Sequence, residues 1–307
     1  QVPHGSVRFP TGRSGSPRVG QVPHGSVRFP TPSATLPDVA RRRASDGAAE
    51  TSVVLSGLAI LGLALFMIPL VGLIVAAPLE RLPDLLRQPQ LLAATRLSLV
   101  TSTLSLVIAT VLGVPLAWLF ARRDFPGKAI LRAVAVLPMV LPPVVGGVAL
   151  LLAFGRNGLL GSPLERATGV TLPFTTAGAV LAATFVAMPF LVVTVEAGLR
   201  QADRRVEQAA ETLGASRWTI YRRITLPQIA PALAAGMALA WARALGEFGA
   251  TITFAGNFEG RTQTMPLAVF QLLQSDPGGA YLLSLVLLLV SVVVLVAMRG
   301  RYLGGGR

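Results

Sequence analysis

Read along its length, the chain is a series of long apolar runs separated by short polar loops. Six stretches, about Val53–Ala77, Leu97–Phe120, Ala129–Phe154, Thr175–Ala197, Ile229–Phe254 and Ala280–Met298, are candidates to cross a bilayer, whose hydrocarbon core takes roughly 20 helical residues. No water is available there to satisfy backbone groups, so each stretch must be helical. The pattern predicts an all-α, polytopic membrane protein with about six transmembrane helices, residues 51–307 forming the membrane domain. Pro138, Pro142 and Pro143 interrupt the third run and predict a kink that faces protein or a cavity.

Residues 1–50 differ in kind. The segment QVPHGSVRFPT occurs at Gln1–Thr11 and again at Gln21–Thr31. Such Pro/Gly/Ser-rich sequence cannot bury enough apolar surface to fold alone, so a disordered tail is expected, its repeat a duplication rather than a binding element. The opening Gln fits a truncated or processed start. The first apolar run is too long for a secretory signal and ends in no small-residue cleavage site.

Composition narrows the chemistry. Charged residues make up 13% of the chain and mean hydropathy is +0.64, against about 25% charged in soluble domains. The chain has no cysteine, which excludes disulfides, thiolate metal sites and cysteine nucleophiles. His4 and His24 both lie in the tail, so no catalytic or metal-binding residue is expected in the membrane domain. The net charge of +13 would suggest nucleic acid in a soluble protein. Here the basic residues sit mainly in short loops without aromatic interleaving, so no nucleic-acid partner is expected and the charge is read as topology. One set of alternate loops and termini holds sixteen basic residues, among them Arg41–Arg43, Arg122, Arg132, Arg200, Arg223 and Arg299; the other holds six, Arg81, Arg87, Arg96, Arg156, Arg166 and Arg261. The basic-rich side faces the cytoplasm, which predicts that both termini are cytoplasmic.

The longest internal loop, about 199–225, lies on that side. Val206, Ala209, Ala210 and Leu213 recur at helical spacing, Gly214 suits a left-handed helix end, and Ser216 suits the cap of a second short helix carrying Trp218 and Tyr221. Leu226-Pro227 leads into the fifth run. Such a helix-turn-helix could dock in a groove of another protein or rest on lipid headgroups, and composition leaves both open.

The stretch from Glu207 to Pro227 resembles the EAA loop of ABC importer permeases. Gln208-Ala209-Ala210 fills the first part of that pattern, Gly214 its glycine, and Ile224-Thr225-Leu226-Pro227 its end. Gln208 stands where the family usually has Glu, and Glu207 or Glu211 would supply the charge. The resemblance spans about residues 53–303 and implies the ABC type I importer permease fold. It also implies that Glu207, Gln208, Ala209, Ala210, Glu211, Leu213, Gly214, Ala215, Leu226 and Pro227 couple the chain to an ATPase. Arg217, Arg222 and Arg223 would be open to salt bridges with that ATPase. The chain itself has no phosphate-binding loop, since Gly127-Lys128 lacks both the upstream Gly and the following hydroxyl. Mg-ATP would thus be held by two partner ATPase subunits, with a homodimer of permeases and an extracytoplasmic binding protein completing a machine in a bacterial plasma membrane.

The fifth run carries Arg243 and Glu247, charges that are costly at membrane depth and four residues apart on one helical face. A self-neutralising structural pair and a pair that sets the field of an anion pathway both fit; in the second case Thr251, Thr253 and Asn257 add hydrogen-bonding groups. This segment, with Gly260–Leu267, Leu141–Gly147 and Phe154–Gly161, resembles the molybdate and sulfate/thiosulfate permeases. Thr251-Ile-Thr-Phe254 tilts the expectation towards molybdate, with sulfate and tungstate as alternatives. An ion-coupled secondary transporter is the competing class; it needs buried acidic ion sites, for which Glu196 and Glu247 are the candidates.

Overall fold

The computed structural model describes residues 38–302, with side-chain placement from 54 to 294 and at 296. The tandem repeat lies outside these residues. The described chain is helical throughout, without strands: α1 (Asp38–Ala76), α2 (Leu82–Arg87), α3 (Pro89–Arg122), α4 (Lys128–Val136), α5 (Pro143–Phe154), α6 (Gly161–Thr168), α7 (Thr176–Gln201), α8 (Arg204–Thr212), α9 (Arg217–Ile220), α10 (Leu226–Leu245), α11 (Gly249–Phe254), α12 (Met265–Ser275) and α13 (Pro277–Tyr302). Five helices are long and apolar enough to span a membrane, or six if one bent pair counts as a single span.

The chain divides inside α1 into a short unit ending at Leu63 and a main unit from Ala64 onwards. In the short unit α1 begins at Asp38, so the last part of the segment expected to be disordered, from Asp38 to Glu50, is helical. Its apolar side chains, such as Leu55, Leu58 and Leu61, are exposed, as a lipid-facing helix requires.

The main unit is organised around α7. Two thirds of its apolar window is buried, against one third for α3. Small residues allow this. A Cβ on Gly113 of α3 would come within 2.9 Å of Leu191 on α7, and one on Gly198 of α7 within 2.4 Å of Ala232 on α10. Lipid gives helices no hydrophobic reason to associate, so such close backbone approach supplies the packing. Ala117, Phe120, Ala187, Leu191, Val195 and Ile229 form the largest core cluster between these three helices. A second cluster joins Leu85, Leu91, Met265 and Leu282.

Two of the expected spans are not single helices. The third run is broken after Met139, and its halves meet at 117°. Consecutive prolines explain this: neither Pro142 nor Pro143 can donate to a helix, and Pro142 is held extended at ψ 131°. With 12 residues, α5 is about 18 Å long, too short to span alone. The fifth run stops at Leu245, breaks over Gly246–Phe248, and resumes as the six-residue α11.

Candidate functional site

Local chemistry fixes the loop between α7 and α10. Asp203 caps α8 by accepting from Arg205 N at 2.9 Å. Gly214 has φ 81°, the left-handed conformation expected of it, and Gly214 N and Ala215 N close the helix on Glu211 O and Ala210 O at 3.0 Å each. Ser216 accepts from Thr219 N at 3.2 Å and so caps α9. The second helix is not separate from the fifth span, as expected, but runs into it through a π-turn at Tyr221–Thr225. Pro227 lacks the N–H that would otherwise reach back into that turn, and a π-turn accommodates such an interruption.

The loop helix has two faces. Val206 (46% exposed) and Leu213 (87%) share one with exposed Ala209. Glu207 faces its own bundle: Oε1 accepts from Arg122 Nη2 and from Thr225 Oγ1, both at 2.8 Å. This side chain, assigned above to the partner-facing set, is therefore committed within the chain. It ties α8 to the end of α3 and the start of α10. Gln208, Glu211 and Pro227 are exposed, while Ala210, Ala215 and Leu226 are half-buried.

A second polar cluster lies at the same end. Glu196 on α7 is 1% exposed and receives Arg132 Nε on Oε2 at 3.0 Å and Arg200 Nη2 on Oε1 at 2.8 Å. It holds α4 against α7 and is doubly neutralised.

The expected pair in the fifth run is present. Glu247 is buried, and Oε2 meets Arg243 Nη1 at 2.7 Å without hydrogen-bond alignment, so charge holds the pair. Glu247 Oε1 also accepts from Ala250 N at 2.7 Å and caps α11. The pair thus sits at the helix break. Against it lies the other break: a Cβ on Gly249 would come within 2.6 Å of Pro143, and one on Gly147 within 2.6 Å of Thr253. Two interrupted helices meet there, α11 against α5. Irregular backbone at membrane depth is tolerated where protein buries it or a cavity lies beside it.

The other pathway candidates do not join this pair. Thr251 is buried in α11. Thr253 Oγ1 donates to Gly249 O of its own helix at 2.9 Å. Asn257 belongs to a third group, in which Gln271 Oε1 accepts from Asn257 Nδ2 at 3.2 Å and from Gln263 Nε2 at 2.6 Å. Gln263, Gln271 and Ser98, whose hydroxyl accepts from Met265 N at 2.6 Å, were not singled out from sequence. Polar residues within an apolar pattern were the available signal. At this end the segments 169–175 and 255–264 touch: Phe174 N donates to Phe254 O at 3.3 Å, Thr176 Oγ1, at the start of α7, to Arg261 O at 2.8 Å, and Phe174 packs edge-on against Phe258.

A bundle of spanning helices, two of them broken against each other, with an anchored helix-turn-helix at one end, defines a polytopic membrane permease. The chain belongs to the family of inner membrane components of binding-protein-dependent transport systems, which matches residues 109–300. It is 44% identical over 243 residues to the molybdenum transport system permease protein ModB of Mycobacterium tuberculosis, covering 79% of this chain and 92% of that one. To ModB of Escherichia coli it is 47% identical over 61% of this chain and 81% of that one. To the sulfate transport system permease protein CysT of Escherichia coli it is 36% identical over 70% and 78%. The fold is shared with a chain of a bacterial ABC transporter involved in import of the acidic polysaccharide alginate, at TM-score 0.69 and 17% identity, covering 86% of this chain and all of that one.

Proposed function

We propose that this chain is the permease subunit of an ATP-driven importer that carries molybdate, or a closely similar oxyanion, into the cytoplasm. The carrying observation is identity: 44–47% with molybdenum permeases against 36–37% with sulfate permeases. Sixteen basic residues against six favour an orientation with α8 and both termini in the cytoplasm. The exposed face of α8 is then gripped by a partner ATPase, which holds Mg-ATP. A binding protein delivers the anion to the joined loops at the opposite end. A permease homodimer would present two α8 helices to two ATPase subunits.

The geometry suggests how the work is transmitted. A load on Val206, Ala209 and Leu213 reaches α3 and α10 through Glu207, Arg122 and Thr225. Along α10 it reaches the break at Gly246–Phe248, where α11 bears on α5. Arg243, 28% exposed at its side chain, offers a positive field to an anion passing that junction. An ion-coupled secondary transporter fits less well, because Glu196 and Glu247 are both paired with arginine.

The test is uptake by proteoliposomes containing the complete assembly with its binding protein. ATP-dependent molybdate entry that persists in excess sulfate is expected. Entry driven by an ion gradient without ATP would refute the class, and preference for sulfate would refute the cargo alone.

A further inference from the structure

A cavity of about 990 Å³ runs between α3, α8, α9 and α10. Along most of its length the wall is apolar, made by Val111, Val114, Pro115, Trp118, Leu226 and Leu233. At its α8 end the wall is basic: Arg122, Arg123, Arg204 and Arg217, with Glu207 and Glu211. Glu207 is already consumed by Arg122. Among the described residues Arg123, Arg204 and Arg217 form no ion pair, so the basic end has an excess of positive charge facing a single unpaired carboxylate, Glu211. Three aromatic rings line that end: Trp118, beneath the Arg123 guanidinium at 5.8 Å, and Trp218 stacked on Tyr221 at 5.7 Å.

The cavity is lined along α3, one of the helices long and apolar enough to span a membrane. From Thr110 to Arg122 along α3 is about 18 Å at 1.5 Å per residue, from within the hydrocarbon to the end of the span. Aromatic rings mark the headgroup level of membrane proteins, and clustered arginines there attract acidic headgroups. We infer that this cavity is a binding site for one anionic phospholipid. Its phosphate lies on Arg123, Arg204 and Arg217, and an acyl chain lies along Val111, Val114 and Pro115.

The site does not compete with the exposed face of α8. Arg204, Glu207 and Glu211 lie on one side of that helix; Val206, Ala209 and Leu213 point roughly 160° away, at 100° per residue. A lipid in the cavity would bridge the end of α3 to the inner side of α8, and the outer side would stay free for a protein partner. The inference needs the chain to lie in a bilayer but not that it carries molybdate.

Native mass spectrometry of the complete assembly, exchanged into nanodiscs of phosphatidylcholine with added phosphatidylglycerol, tests this. One phosphatidylglycerol per permease chain is expected to persist, and added inorganic phosphate should not displace it. The combined substitution Arg123→Gln, Arg204→Gln and Arg217→Gln should lower apparent affinity about a hundredfold, roughly fivefold for each arginine. Arg205→Gln, exposed beside Arg204 but outside the cavity, should leave retention unchanged. Val114→Trp, which fills the apolar part without altering charge, should also abolish retention and serves if the arginine variant fails to assemble. Equal retention of phosphatidylcholine, retention unaffected by the variants in the cavity, displacement by phosphate alone, or a helix of a second copy or of the ATPase filling the cavity would each overturn the inference.

Discussion

The Glu207–Arg122 pair provides the sharpest test of how α8 is held. Side-chain exposure is 6% for Arg122 and 18% for Glu207, with 2.8 Å between their atoms. Charges about 4 Å apart at an effective dielectric of about 20 attract by about 4 kcal/mol, and desolvation returns part of this. Exposed pairs are worth under about 1 kcal/mol, and breaking a fully buried one costs about 3–5 kcal/mol. This pair, nearly buried on one side only, should lie between, near 2 kcal/mol. Glu207→Gln removes the charge with little change of shape. Because α8 has few other ties to the bundle, the loss should appear as local opening. Amide hydrogen exchange in α8 should then quicken about thirtyfold, since 1.36 kcal/mol is a decade, while the interior of α7 is unaffected. Arg122→Gln should give a similar change, and the double variant should be no worse than either alone. Effects that simply add, within about 0.5 kcal/mol, would refute the anchor.

Gly214→Val should abolish ATP-driven uptake while the protein still reaches the membrane, because φ 81° costs a substituted residue about 1–2 kcal/mol although no atom lies in the way; normal uptake would count against the loop's role. Gly147→Ala should destabilise the assembly by about 1–3 kcal/mol, because its Cβ would meet Thr253 at 2.6 Å; Gly146→Ala, facing the Phe185 ring at 3.3 Å, should cost less in the same thermal unfolding series. Glu247→Ala should be about 1 kcal/mol less stable than Glu247→Gln, since the amide keeps an acceptor for Ala250 N and the methyl does not; equal values would exclude capping. Asp276 has its carboxyl held below the ordinary range by hydrogen bonding to Arg81 and to the Gly279 backbone. A depressed carboxylate stabilises above its unfolded value near 3.9 and loses that contribution as pH falls through its folded value. The deficit of Asp276→Asn in thermal unfolding should therefore be present at pH 7 and shrink below about pH 4; a deficit independent of pH would refute it.

Much of this architecture was legible from sequence because lipid simplifies the grammar: apolar runs of sufficient length must be helices. The turn at Gly214 and the cap at Ser216 were legible for local reasons, since each depends on the residue's own backbone preference. The two broken spans were only half legible. Pro142-Pro143 announced an interruption but not a 117° turn, which depends on how α5 packs against α11. Nothing local marked the break at Gly246–Phe248, because it takes Glu247 folding back on Ala250 to stabilise it. Pairings distant in sequence were not legible at all. Arg122 and Arg132 counted only as basic loop residues, Glu207 as part of the coupling set and Glu196 as a candidate ion site, until the folded chain paired Arg122 with Glu207 and Arg132 with Glu196.

Those distant pairings also change what the charges near the membrane are for. Of the acidic groups that might have bound a coupling ion, Glu196 is clasped by two arginines, and Glu247 serves both Arg243 and the first turn of α11. Both are spent on joining elements, Glu196 at the α4–α7 contact and Glu247 at the break beside α5. A chain whose buried carboxylates are structural has little with which to bind and release a coupling ion at each cycle, in keeping with the proposal that a partner ATPase supplies the work. The surface best placed to receive that work is the exposed side of α8, because Glu207, Arg122 and Thr225 make its opposite side continuous with the two helices that flank the core. Arg243 then remains partly exposed beside the meeting point of two broken helices, oriented by a carboxylate that is itself held in place by a backbone amide. On the proposed function, that arrangement suits a fixed positive field for a passing anion better than a group that must change its charge.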